Sequence, residues 1–197
     1  MAKSTQSEEE VASEYRNLVG VDHLMWLDPM TILMKLRHGH RIRGFDFKTV
    51  RPGGIAPALA KWDFGAKLIL IDEETFAAAN RAEGRARFTI FHEVVHALGG
   101  HRGEFNRLQS RSEIPPYAKK LRALESRTDK ITAAFMAPRR LICDGWSARE
   151  VAFFFGMSAE SARIRLEEIR GRTRHPKRPL PNSVAQLLLD LKKGSDA

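Results

Sequence analysis

The fourteen residues from Phe88 to His101, FTIFHEVVHALGGH, constrain the fold more than any other stretch of the chain. Wound as an α-helix from Arg87 to Leu98, they place Phe88, Phe91, Val95 and Leu98 on one apolar stripe and Ile90, Val94 and Ala97 on a second. Only the strip carrying Thr89, His92, Glu93 and His96 stays polar, and Gly99-Gly100 ends the helix. A segment apolar on nearly every side must lie inside the protein. Placing two imidazoles and a carboxylate on its one polar strip is costly unless they have a purpose.

That purpose is legible in the spacing. Residues four apart on a helix share a face, so His92 and His96 can aim ring nitrogens at one point. Glu93 borders that face, within reach of a water at the same point without being a ligand. Two neutral nitrogen donors and an adjacent base are what a water-activating zinc requires of His-Glu-x-x-His. A catalytic zinc also needs a third protein ligand. The pattern that continues with x-x-Gly-x-x-His has Gly99 in place, but position 102 is Arg and the histidine, His101, comes one residue early. The other pattern takes a glutamate from a later helix, and the helical stretch closed by Pro138 offers Glu125. Asp129, one turn further on, is placed to accept the second ring N–H of a ligating histidine.

The remainder of the chain reads as mostly helical. Residues 1–9 are polar and expected to be disordered, and residues after them show helical spacing at Val11, Tyr15 and Leu18 up to Gly20. A second helix starts at Pro29 behind an Asp28 cap, and RPGGIAP, Arg51 to Pro57, must be loop. The short apolar run Leu68 to Ile71 reads as a strand buried on both faces. Ser147 and Ser158 bracket two helices joined at Gly156, and GRTRHPKRPLPN leads as a basic, Pro-rich linker to a short last helix. No run of eighteen apolar residues occurs, and MAKSTQSEEE lacks the apolar centre of a signal peptide, so a cytoplasmic protein with no membrane partner is expected. The single cysteine, Cys143, excludes an internal disulfide.

Two separated motifs, RFTIFHEVVHALGGH and LESRTDKITAAFMAP, resemble in order and spacing those of the ImmA/IrrE family of zinc peptidases. The resemblance covers about residues 60–170. Glu125 falls on the family's ligand glutamate and Pro138 on its proline, while Asp129 stands for Asn, Thr132 for Ala and Ala137 for Met. The resemblance implies a thermolysin-like reaction. His92, His96 and Glu125 hold Zn2+, Glu93 takes a proton from the attacking water, and a peptide carbonyl is the target. The Leu68–Ile71 strand, if it lies at a sheet edge, would hold an extended substrate by main-chain hydrogen bonds. His101 and Tyr117 are candidates for oxyanion stabilisation or substrate contact by residue type and proximity alone. The usual substrate of the family, a helix-turn-helix repressor cut to release genes, is the expected protein partner.

The expected architecture is α+β and mostly helical. A zincin-like core over residues 10–142 carries a small sheet beside the metal helix, followed by a helix-turn-helix-like segment over 143–171 and a basic tail over 172–197. A rival reading is a DNA-binding regulator whose metal is structural or vestigial. It draws on charge. The net +9 comes entirely from residues 101–178, which carry eighteen Lys/Arg against nine Asp/Glu. Arg163, Arg165 and Arg170 lie on or after the second helix of the pair, so nucleic acid is a candidate partner.

Overall fold

The computed structural model describes residues 6–39, 41–101 and 116–171, with side chains from residue 120 onward in the last span. Helix α1, Glu8–Val19, begins two residues earlier than the polar composition implies. Ser7 and Glu10 form a reciprocal capping box that satisfies the first free N–H groups, so residues 8 and 9 are helical where disorder was expected. Helix α2, Pro29–His38, starts as expected, with the Asp28 carboxylate accepting from the Thr31 N–H at 2.7 Å.

Three short strands follow: β1 Asp46–Val50, β2 Ala60–Asp63 and β3 Leu68–Asp72. Their order is β1-β3-β2, with β1 parallel and β2 antiparallel to β3. Two expectations are thereby corrected. The Leu68–Ile71 run is the central strand, not an edge, and only one of its faces is fully buried. Ile69 and Ile71 are buried in the core while Leu68 and Leu70 on the other face are half-buried, the alternation of a sheet covered on one side.

Helix α3, Glu73–Asn80, is capped by Asp72, and helix α4, Gly84–Leu98, is the metal-motif helix. Ile90, Phe91, Val94 and Val95 are wholly buried on α4, in keeping with its nearly all-round apolar pattern. Helix α5, Pro116–Met136, packs along α4, with the Phe91 and Phe135 rings 5.8 Å apart. Beyond a short turn at Arg139–Leu141, helices α6, Ala148–Phe155, and α7, Ala159–Gly171, form a hairpin. Val151, Phe155, Met157, Ala162 and Leu166 of this hairpin belong to the same core as α1 and α4. Among the described residues no helix is long and apolar enough to cross a membrane.

Buried guanidinium groups hold the hairpin in place. Arg87 of α4 donates to the Gly156 and Leu27 carbonyls at 2.9 and 2.6 Å and lies 3.9 Å from the Trp26 ring centre. Arg165, on the supposed recognition helix, is buried; it donates to the Ala137 carbonyl at 2.9 Å and pairs with Glu9 of α1. Arg163 is exposed but bonded to both Glu160 and Glu167. The described outer face of α7 therefore carries as many acids as bases at Glu160, Arg163, Glu167 and Arg170. That balance is a poor match for a phosphate backbone.

Candidate metal centre

The site is assembled from one turn of α4 and one turn of α5. Because His92 and His96 are one helical turn apart, their Nε2 atoms meet at 2.9 Å. Glu125 reaches across from α5, with Oε2 at 3.1 Å from His92 Nε2 and Oε1 at 3.4 Å from His96 Nε2. The three donor atoms lie within 4.8 Å of one another. Tetrahedral ligands with bonds of about 2.0 Å sit about 3.3 Å apart, so the spacing matches a shared small cation.

The polar groups themselves argue for such an ion. A proton shared among two imidazole nitrogens and a carboxylate can serve only one contact at a time, whereas a divalent cation serves all three. Glu125 Oε1 is buried without a hydrogen-bond partner, a cost that a cation removes. Two histidines and one glutamate are, moreover, the ligand set of catalytic zinc and differ from the closed Cys-rich sets of structural sites.

Each imidazole is supported from behind. His92 Nδ1 lies 3.0 Å from Asp129 Oδ1, the role the spacing Glu125-x-x-x-Asp129 implies. His96 Nδ1 lies 2.9 Å from His101 Nδ1. His101 thus meets the Nδ1 side of His96, away from the Nε2 atom that faces Glu125. Tyr117 falls in the first turn of α5, and its side chain lies outside the described residues.

Glu93 points to strand β2, whose Trp62 main-chain N–H donates to Glu93 Oε2 at 2.7 Å. Neither Trp62 nor its strand is apparent in the sequence reading. The one signal available was the alternation in AKWD, Ala60 and Trp62 inward with Lys61 and Asp63 outward, too short to stand out.

The electrostatics of the cluster follow from burial and pairing. For His92, burial is the largest influence and favours the neutral form, but hydrogen bonds to Asp129 and Glu125 overcome it and lift the pKa to about 10. Burial also favours the neutral form of Glu125 and so pushes its pKa up, yet contact with His92 and His96 brings its carboxyl down to about 2. Glu93 is pushed up by burial, against the pull of His92, His96 and the Trp62 N–H. His101 is pushed down by burial and by the neighbouring His96.

No protein-family model, curated protein or solved structure matches the chain. The functional reading therefore rests on the site itself and on the two sequence motifs.

Proposed function

We propose that this protein is a zinc-dependent endopeptidase of the ImmA/IrrE type, and that its substrate is a helix-turn-helix repressor. One observation carries the reading: His92, His96 and Glu125 converge from two helices while Glu93, on the same turn, is held beside them by a neighbouring strand. The substrate class rests on the resemblance of the two motifs.

Zinc, when bound, supplies a Lewis acid for the scissile carbonyl and lowers the pKa of attacking water. The chain's residues do the rest. His92 and His96 present Nε2 lone pairs because Asp129 and His101 engage their Nδ1 atoms. Glu93, desolvated and so more basic than a surface carboxylate, takes the proton of the attacking water and passes it to the leaving amine.

Strand β2 supplies a means of holding the peptide, the role at first expected of the Leu68–Ile71 strand. The Asp72 N–H bonds to the Leu59 carbonyl at 2.9 Å, so Leu59, Lys61 and Asp63 turn their main-chain groups toward β3. Ala60 and Trp62 turn theirs to the edge that no described strand pairs, where the Trp62 N–H already meets the α4 carboxylate of Glu93. An extended peptide adding to that edge lies within reach of Glu93.

The test is co-expression with the product of a neighbouring repressor gene. Wild type is expected to give metal-dependent cleavage, and Glu93→Gln is expected to retain zinc while losing cleavage. A Glu93→Gln protein that cuts the repressor like wild type refutes the mechanism. Against the DNA-binding alternative stand the burial of Arg165 and the pairing of Arg163 with Glu160 and Glu167.

A further inference from the structure

Trp62 touches the site twice. Its main-chain N–H holds Glu93, and its indole Nε1–H donates to the His101 carbonyl at 3.1 Å. The indole is itself fixed, 3 % exposed and stacked on Phe45 with ring centres 6.0 Å apart. The backbone at His101 is tied from a second direction by its own N–H, which donates to the His96 carbonyl at 3.1 Å. Held by these two bonds, the His101 ring folds back over the end of α4 and meets His96 edge to face, at an interplanar angle of 73°. The fold-back needs Gly99, because a Cβ there would lie 2.8 Å from His101 Nε2.

The tautomers follow from the geometry. If His96 Nε2 is to offer a lone pair toward His92 and Glu125, the His96 proton must be on Nδ1. His96 Nδ1 lies at hydrogen-bond distance from His101 Nδ1, which then accepts, so His101 carries its proton on Nε2. His92 is thus backed by a carboxylate and His96 by a neutral imidazole.

We propose that Trp62 and His101 are positioning residues, the indole fixing the His101 backbone so that the His101 imidazole accepts the Nδ1 proton of His96 and aims His96 Nε2 at the metal. The proposal rests on the zinc reading above and goes beyond it by giving His101 a role other than oxyanion or substrate contact. It also makes the substrate-holding strand a support of the metal site, since β2 reaches both Glu93 and, through His101, His96.

The test uses the full-length protein and zinc alone, with affinity read by competition against a chromophoric chelator and geometry by the visible spectrum of the Co2+ form. His101→Leu removes the acceptor and is expected to weaken zinc binding about 10- to 100-fold, with an altered Co2+ spectrum. His101→Asn places an amide oxygen where Nδ1 was and should restore near wild-type binding. Trp62→Phe keeps the ring stack and the main-chain bond to Glu93 but loses the indole donor; a smaller loss of affinity is expected. Since both residues act through one chain of contacts, the double variant should bind no more weakly than His101→Leu alone.

Wild-type affinity in His101→Leu, or in Trp62→Phe should the leucine variant fail to fold, overturns the proposal. So does an asparagine variant as weak as the leucine one. A wild-type protein that binds no zinc, or binding that survives His92→Ala and Glu125→Ala, overturns instead the metal reading beneath it.

Discussion

The His92 imidazole is the residue whose protonation state would decide how the site took up a metal ion. Its pKa of about 10 means that at pH 7.5 the metal-free cluster holds a proton there, locked between Asp129 and Glu125. Ligation requires the neutral ring, so zinc must displace that proton. Calorimetry at pH 7.5 in buffers of different ionisation enthalpy should report about one proton released per zinc, and apparent affinity should rise about tenfold per pH unit until the pH nears the His92 pKa. Equal heats in all buffers would show that His92 is neutral beforehand. The sign for stability is the reverse. A raised histidine pKa stabilises the metal-free fold fully below the ordinary value of 6.5, and that contribution is lost as pH climbs through about 10. The depressed Glu125 contributes above the ordinary 4.5 and loses its effect as pH falls through about 2. The pairs His92–His96 and Glu125–Asp129 were legible in the sequence because helical spacing brings each onto one face, while Glu93 and the choice of Glu125 came with the motif pattern and the family resemblance. Trp62 was not legible, and His101 was legible only as a histidine, because their roles depend on where a strand from thirty residues upstream meets α4.

At the scale of elements, the contact between α4 and the α6–α7 hairpin decides what the hairpin is. Gly84, in the first turn of α4, packs so tightly on the turn that an added Cβ would lie 2.2 Å from the Ser158 nitrogen and 2.3 Å from the Met157 carbonyl carbon. Those are backbone atoms, which cannot swing aside. Gly84→Ala gains helix propensity worth up to about 1 kcal/mol. Overpacking costs about 1–3 kcal/mol, more where backbone must move, so net destabilisation is expected as a lower urea midpoint. An alanine variant as stable as wild type would mean that the hairpin is not seated on α4. The sequence conveyed the two helices and their glycine turn through Ser147, Gly156 and Ser158, but not this docking. Arg87, Arg163 and Arg165 look alike in a sequence; the fold separates two buried cations that satisfy main-chain carbonyls from one ion-paired at the surface. Strands β1 and β2 went unseen for a related reason. Their residues DFKTV and AKWD are half polar, and only pairing with the apolar β3 makes strands of them.

Across the described molecule, one core runs from Val11 of α1 through α4 to Leu166 of α7, and the candidate ligands sit on the two helices, α4 and α5, packed within it. Glu9 joins the two ends of the described chain by accepting from the Arg139 N–H at 2.7 Å and pairing with buried Arg165. A core so connected unfolds as a unit, and His92, His96 and Glu125 can share an ion only while α4 and α5 remain side by side. Zinc that binds the folded form alone must therefore stabilise all of it. At free zinc 100-fold above its dissociation constant the gain is about 2.7 kcal/mol. For a chain of this length that corresponds to a melting temperature higher by roughly 5–10 °C. Glu93→Gln, which leaves all three ligands in place, should show the same rise, and His92→Ala should show little or none. Equal melting of wild type with zinc and with a chelator would separate the site from the fold that holds it. A rise in Glu93→Gln together with lost cleavage would separate a metal's structural contribution from a chemical one, because that variant changes the proposed base and leaves all three candidate ligands in place.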